Sequence, residues 1–213
     1  MPAKKSQRGR LSRDVIRDQA AELIAEDGID KFSLRSVAKA LGVDASALYR
    51  HYEDLDDLLR DVGDKSLYPV TARFVASDDP VEDVRKLLLR LRKVLLTSGV
   101  ARITATGPTR REGELRITEA MLEAGERAGL SQSDAVMAYH VLIEYTVGSA
   151  AIDAPLSASK TDRAETYKRW RSDYEKLDRA EYPSIKSHVS ALYPPSDKVF
   201  ETGLDALLSS LFA

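Results

Sequence analysis

Apolar residues recur along this chain at helical spacing from the first segment to the last. Leucine, isoleucine, valine and alanine return every three or four positions, with charged residues between them. No segment shows the alternation of a strand, the turn of a hairpin or an internal repeat. The pattern therefore predicts an all-α fold.

Four helices are predicted near the start of the chain, each preceded by a residue suited to an N-cap. Such side-chain oxygens can accept hydrogen bonds from the free amides of a first turn. The predicted caps are Ser12, Ser33, Asp44 and Asp54. Gly28 and Gly42 are suited to the ends of the first and second helices.

Longer helical segments follow beyond residue 67. Helices are predicted to begin at about Pro80, Glu112, Ser131, residue 163, Pro183 and Ser196, with a short helix over 99–106 and a loop over 153–162. The helix after Ser131 is apolar on more than one face, as expected of a helix covered on both sides.

The composition is that of a globular protein and excludes several kinds of chemistry. The 213 residues are 43% hydrophobic and 31% charged, with a net charge of -2. Positive charge for binding nucleic acid must therefore be local. Without cysteine there is no disulfide, thiolate zinc site or cysteine nucleophile. No apolar run of about 18 residues and no signal peptide are evident, so a cytoplasmic location is expected.

Residues 33–52 have the pattern of a helix-turn-helix. Gly42 permits the backbone conformation of a tight turn between two helices, and Ala38 is small enough for them to approach. Leu48 and Tyr52 are predicted to hold the third helix against the first. A helix this short needs such neighbours to form in water.

The opposite face of the third helix carries the candidate DNA contacts. Ala45 and Ser46 are short, so the helix can lie close to the floor of a major groove. Tyr49 and His51 can donate to phosphates, and Arg50 can bind a phosphate or guanine. An outward Tyr and Arg alone would be typical of a solvated surface. The capped turn, the short helix and the basic arm together favour DNA binding.

Residues from about 11 to 62 resemble the DNA-binding domain of the tetracycline-repressor (TetR) family of bacterial transcriptional regulators. The resemblance rests on Ala20-Ala21-Glu22-Leu23-Ile24 with Gly28, Ser33-Leu34-Arg35 with Val37-Ala38, Leu41-Gly42-Val43, and Leu48-Tyr49-Arg50-His51-Tyr52. It implies a homodimer that binds a palindromic operator, acts as a repressor, and leaves the operator when a small-molecule effector enters the C-terminal domain.

The predicted DNA-binding residues combine the resemblance with the properties of the outward face and the arm. They are Arg35, Ala45, Ser46, Ala47, Tyr49, Arg50 and His51, with Arg10, Lys4 and Lys5 from the arm. One position departs from the family, which usually has a phosphate-binding lysine where this chain has Leu55. Because the residues around Leu55 are acidic, more of the phosphate binding is expected from the arm and Arg13.

The second half of the chain resembles the tetracycline-repressor branch of the family. The similar segments are Phe200–Leu208 and Glu144–Gly148. In that branch, the two corresponding helices pair across a two-fold axis as a four-helix bundle. The alternative is that the same apolar residues pack within one chain. Family members that bind a magnesium–tetracycline chelate use a histidine at the position of Ile103, so neither a metal nor another cofactor is expected here.

A cavity for the effector would be mostly apolar with few polar anchors. The predicted ligand-binding residues are Leu95, Ile103, Leu122, Met137, His140, Glu144 and Trp170. His140 and Glu144 are four residues apart on one helix face, where they could bind a ligand or only each other. Plain core packing is the alternative for the apolar members of this set.

The predicted domains are a flexible basic arm at 1–11, a helix-turn-helix domain at 12–66, and a ligand-binding and dimerisation domain at 67–213, with the fourth helix crossing the boundary. Two other functions are the alternatives. An enzyme is not expected, because the three histidines form no metal-binding pair and no catalytic motif is present. A DNA-binding protein that responds to a protein partner stays open.

Overall fold

The computed structural model describes residues 11–29, 32–97, 108–154 and 160–213, and these residues form α-helices and connecting turns without a β-strand. The all-α prediction is therefore confirmed. The helices are α1 (Arg13–Asp27), α2 (Leu34–Leu41), α3 (Ala45–Leu48), α4 (Leu55–Thr71), α5 (Pro80–Thr97), α6 (Glu112–Arg127), α7 (Gln132–Asp153), α8 (Lys160–Glu175), α9 (Pro183–His188) and α10 (Ser196–Leu211). A 3-10 turn, Val189–Ala191, follows α9.

The predicted N-caps begin the first four helices. Each cap side chain accepts a hydrogen bond from an amide of the first turn, and Ser33 forms a reciprocal capping box with Ser36. Gly42 ends α2 in the left-handed region, at φ 66°, and its amide donates to the carbonyl groups of Ala38 and Lys39. A residue with a Cβ would be strained at this φ, which explains the glycine.

The N-terminal helices enclose a small core of their own. Ile16 and Ala20 of α1 are fully buried, as are Val37 of α2 and Leu48 of α3. The third helix is a single helical turn. The chain after it stays hydrogen-bonded to the helix, because the amides of His51 and Tyr52 both donate to the carbonyl oxygen of Leu48. The short helix is thus held by burial and by its own turns.

The remaining helices form a larger bundle around α5. Leu87, Leu88 and Leu95 of α5 are fully buried, and α5 packs against α4, α6, α7 and α10. Helix α4 also packs against α1, so it contacts both halves of the chain. It runs without interruption through residue 66, the predicted boundary. The division into domains at that residue stays a prediction.

One helix begins earlier than the sequence pattern predicts, and some predicted features lie outside the described residues. Helix α8 begins at Lys160, inside the predicted loop, because polar residues alone do not end a helix. The predicted short helix at 99–106 lies outside the described residues, as do Lys4, Lys5 and Arg10.

Candidate DNA-binding surface and effector cavity

Most of the predicted DNA-contacting side chains in α2, α3 and the turn after α3 face solvent. Arg35, Ser46 and Arg50 are exposed, and Tyr49 is 59% exposed. Ala45, Ala47 and His51 are partly buried at the edges of this face. Within the part of the chain that the structure describes, Arg35 and Arg50 form no ion pair. Their charges are therefore free to meet phosphates or bases.

The N-cap of α3 is a carboxylate held by hydrogen bonds. The Asp44 carboxylate accepts a hydrogen bond from the Ser46 amide at 2.8 Å. Hydrogen bonds from Ser46, first from its hydroxyl and then from its amide, hold the pKa of Asp44 below its usual value. Asp44 is thus ionised at neutral pH and fixes the start of α3, the helix that precedes Tyr49 and Arg50.

Arg13 of α1 is bound to the protein's own groups. Its guanidinium lies 4.1 Å from the centre of the Tyr52 ring and 3.6–3.7 Å from carboxylate oxygens of Asp57 and Asp61. It also donates to the carbonyl oxygen of His51. Arg13 is thus paired with carboxylates of α4, and the phosphate-binding role expected of it stays a prediction.

Tyr52 connects the end of the helix-turn-helix to the same carboxylates. Its hydroxyl lies 2.6 Å from Asp61 Oδ2 and 3.0 Å from the carbonyl oxygen of Arg13. Burial, and then the hydrogen bond to Asp61, raise the pKa of Tyr52 above its usual value. The phenol therefore stays protonated and can donate to Asp61 throughout the physiological range.

A second arginine reaches these carboxylates from the start of α6. Arg111 pairs with Asp57, and its Nη1 lies 3.4 Å from Asp61 Oδ1. We call Arg13, Tyr52, Asp57, Asp61 and Arg111 the junction cluster. The sequence showed acidic residues at the start of α4, but no local signal indicated a partner more than 50 residues away.

Asp64, one turn of α4 beyond Asp61, fixes the first turn of α6. Its buried carboxylate accepts hydrogen bonds from the amides of Gly113, at 2.9 Å, and Glu114, at 3.0 Å. The Thr109 hydroxyl lies 2.9 Å from the same carboxylate. Gly113 allows this close approach, since a Cβ there would overlap the carbonyl oxygen of Asp64. Helices α4 and α6 are thereby held together.

A cavity of about 500 Å³ lies beside this junction, between α4, α5, α6 and α7. Its apolar lining comprises Leu67, Leu91, Leu95, Pro108, Ile117, Ile143, Val147 and Gly148. Its polar lining comprises Thr109, Glu114, Thr118, Tyr139, His140 and Glu144. This volume suits a small organic molecule.

The structure brings three of the predicted ligand-binding residues into this cavity, namely Leu95, His140 and Glu144. Leu122 and Met137 are not part of its lining, and Met137 is 61% exposed. Trp170 packs instead against the rings of Tyr167 and Tyr193. Ile103 lies outside the described residues.

Sequence reasoning missed the polar groups that α6 and the segment before it bring to the cavity. These are Thr109, Glu114 and Thr118. Their spacing resembles that of any solvated helix face, so no pattern could have singled them out. A carboxylate whose side chain lies at a cavity wall is recognised only after α6 is placed against α4.

Two further features bear on a metal site and on a membrane span. Among the residues that the structure describes, no three histidine, aspartate or glutamate side chains are grouped as they would be to hold a metal ion. Helix α7 is long and apolar enough to span a membrane by length and composition. Core helices of soluble proteins meet the same test, so this observation is weak evidence for a membrane protein.

Comparison with known proteins gives a consistent result for both halves of the chain. Residues 16–62 match the model described as bacterial regulatory proteins, tetR family, and residues 75–213 match the tetracyclin repressor-like C-terminal domain. An HTH-type transcriptional regulator of Saccharopolyspora erythraea is 25% identical over 204 residues, which cover 95% of this chain and 85% of the relative. The HTH-type transcriptional repressor Rv1353c of Mycobacterium tuberculosis is 26% identical over 214 residues, with 95% and 80% covered.

The fold has close counterparts among solved structures. The Streptomyces coelicolor protein ActR, in complex with actinorhodin, superimposes with a TM-score of 0.84 at 21% identity. The match covers 95% of this chain and 97% of ActR. At this identity the likeness supports the fold, while the models of the two domains support membership of the family.

Proposed function

Because this chain belongs to the TetR family and is a transcriptional regulator, we propose that it is a repressor that binds a palindromic operator as a homodimer and is released by a small-molecule effector. One observation carries the proposal. An exposed, unneutralised helix-turn-helix face and a 500 Å³ cavity are joined by the same helix, α4.

The exposed face provides the DNA contacts of this proposal. Ser46 is small and lies near the start of α3, where a recognition helix approaches base edges. Tyr49 donates to a phosphate, and Arg50 binds a phosphate or the O6 and N7 atoms of guanine. Arg35, at the start of α2, adds a further contact. Operator DNA places this activity in the cytoplasm.

The homodimer is proposed to form through α7 and α10. Val136, Met137 and Ile152 of α7 and Val199 of α10 are exposed apolar residues. Only 28% of the most apolar 18-residue part of α7 is buried inside the chain. A second copy that packs its own α7 and α10 on this surface would cover it in an isologous interface. The ligand-binding and dimerisation domain is then residues 67–213, after the DNA-binding domain at 12–66.

The junction cluster is proposed to transmit effector binding to the DNA-binding face. Thr109 lines the cavity and contacts Asp64 of α4. Earlier on α4, Asp61 at about one turn and Asp57 at about two turns before Asp64 hold Arg13. An effector that alters the position of α4 alters the spacing of two recognition helices, which must lie about 34–36 Å apart to fit one operator. It then lowers operator affinity by its differential affinity for the two states.

Selection from random duplex DNA, followed by mobility-shift titration of the enriched site, tests the proposal. The expected site is palindromic and is bound by two chains. Arg50→Ala should weaken binding, whereas Arg116→Ala, at an exposed arginine of α6, serves as the matched control and should not. Enrichment of no palindrome, or equal binding by wild type and Arg50→Ala, would contradict it.

A further inference from the structure

We infer that the effector is an organic cation with a mostly apolar body, bound through the carboxylates of Glu114 and Glu144. This inference rests on the proposed effector role of the cavity and specifies the chemistry of its ligand.

The charged residues in the described lining of the cavity have one sign. Its described lining contains two glutamates and neither lysine nor arginine. Tyr139 and His140 are the only other titratable residues of that lining. An anion entering here would lose its hydration shell and face two carboxylates, whereas a cation would exchange water for ion pairs.

Two arginines that are close in the chain to cavity-lining residues are engaged elsewhere. Arg111 is bound to Asp57 and Asp61 of the junction cluster. Arg92, on the same helix as the cavity-lining Leu95, is buried against Asp153 and Asp197. These arginines are neutralised and do not offset the negative charge at the cavity wall.

Glu114 is positioned to hold a cation. Its Oε2 atom lies 2.9 Å from the Thr109 hydroxyl and 2.9 Å from the Arg110 amide, so the side chain is fixed. Its Oε1 atom accepts no hydrogen bond from the described residues. Glu144 likewise has no ion pair within the described part of the chain. Each carboxylate therefore has an oxygen that can accept from a ligand.

The rest of the cavity favours an organic cation over a metal ion. Its walls are largely aliphatic, with Leu91, Ile117 and Val147 from three different helices. Ca²⁺ and Mg²⁺ take about six or more oxygen ligands, including water, which aliphatic walls do not supply. The Tyr139 hydroxyl is engaged with Thr118, at 2.9 Å, which holds the aromatic ring at the wall where a cation can contact it.

Binding at Glu114 also has a direct route to α4. Thr109 lies 2.9 Å from both Glu114 Oε2 and Asp64 Oδ1. Its single hydroxyl proton can be donated to only one of these carboxylates at a time. A cation that neutralises Glu114 shifts this proton toward Asp64 and changes the contact between the cavity and α4.

The test compares two probe ions of nearly equal size and shape but opposite charge, tetraphenylphosphonium and tetraphenylborate. Binding to the full-length protein is measured by calorimetry, and release of the selected operator by mobility shift. Tetraphenylphosphonium should bind at least about ten-fold more tightly than tetraphenylborate and should release the operator.

Three glutamate variants refine the test. Glu114→Gln and Glu144→Gln should each lower tetraphenylphosphonium affinity by about ten-fold, because a charged partner is lost while the side-chain shape is kept. Glu119→Gln, on the exposed face of α6 and outside the cavity, is the matched control and should bind as wild type does. Thermal unfolding of each variant establishes that it is folded.

The outcomes separate this inference from the proposed function. Equal or tighter binding of tetraphenylborate, binding of neither ion, or binding that is unaffected in both Glu114→Gln and Glu144→Gln overturns the cationic effector. Operator binding that is intact in the same preparations leaves the repressor proposal standing. Absence of any operator overturns the repressor proposal, whichever ion binds.

Discussion

The DNA-binding face and the junction cluster both contain arginines, but among the described residues these are unpaired in the first and ion-paired in the second. Arg35 and Arg50 are exposed and form no ion pair within the described chain. Arg13 and Arg111 are held by Asp57 and Asp61. Arginines that are left unneutralised are available to an external partner, whereas paired ones hold elements of the chain together.

The two regions should also differ in what mutation costs. Truncating an exposed arginine changes stability little, because its charge is already solvated. Removing one partner from a buried polar group leaves the other without its hydrogen bonds. Variants of the first region should thus lose DNA affinity alone, and variants of the second should lose stability or the response to the effector.

The largest effect is expected at Asp64. Asp64→Ala removes the acceptor of the Gly113 and Glu114 amides and should lower the free energy of unfolding by about 3 kcal/mol, or about 6–12 °C in Tm. Asp64→Asn retains one acceptor oxygen and should lose less. Calorimetric or urea unfolding measures both. Equal stability of Asp64→Ala and wild type would contradict this expectation, because it would mean that water replaces the Asp64 carboxylate as acceptor for the two amides with no loss of free energy.

The next effect concerns the exposed face. Arg50→Ala should weaken operator binding by about 1–3 kcal/mol while the unfolding free energy stays within about 0.5 kcal/mol of wild type. If Arg50 binds a phosphate, the slope of log affinity against log salt concentration should become shallower by about one in the variant. If Arg50 reads guanine, sequence specificity should weaken at one operator position. Titration over a series of salt concentrations distinguishes these cases. A loss of stability equal to the loss of binding would remove the contrast between the two regions.

A smaller effect, on the response to the effector, is expected when Arg111 is removed from the junction cluster. Arg111→Met should reduce the effector-induced fall in operator affinity by about five-fold, since the link from α6 to Asp57 and Asp61 is lost. Combining it with Asp57→Asn in a double-mutant cycle should give a non-additive result. Operator titrations with and without effector provide the measurement. Additive effects would show that the two residues act separately.

The smallest effect is a pH dependence of stability that comes from Asp83, in the first turn of α5. Burial raises the pKa of Asp83, but hydrogen bonds from Arg127 and Ser77 outweigh it and hold the pKa below the usual 3.8. Because the folded-state pKa is depressed, this contribution to stability is present above pH 3.8 and is lost as the pH falls through the folded-state value. Asp83→Asn should therefore lose stability less steeply than wild type on acidification. Parallel acid titration curves for the two proteins would rule out this role.

Local chemistry accounts for how much of the N-terminal half could be predicted. A cap residue and the amides it accepts from lie within three residues of each other, as with Ser12 and Val15 or Asp44 and Ser46. The apolar spacing of the same segments places Leu48 and Tyr52 inward and leaves Tyr49 outward. The DNA-contacting roles of the outward residues stay predictions.

The cavity and the junction cluster could not be predicted in this way. Glu144 and His140 could be proposed as ligand-binding from their spacing on one helix face, but Glu114 and Thr109 lie on a different element and carry no pattern of their own. Met137, with the same apolar character as Leu95, lies on the outer side of α7. Which side of a doubly apolar helix faces inward depends on the helices packed against it.

The sequence by itself determined most of the described helices, the caps of the first four, the helix-turn-helix and the family, because each depends on interactions between residues close in the chain. Tertiary structure alone decided which charges are neutralised and which carboxylates line a cavity. Arg111 and Asp57 are 54 residues apart, and Thr109 and Asp64 are 45 apart. Pairs at such separations meet only when α4 and α6 pack, since no short-range preference selects one distant aspartate over another.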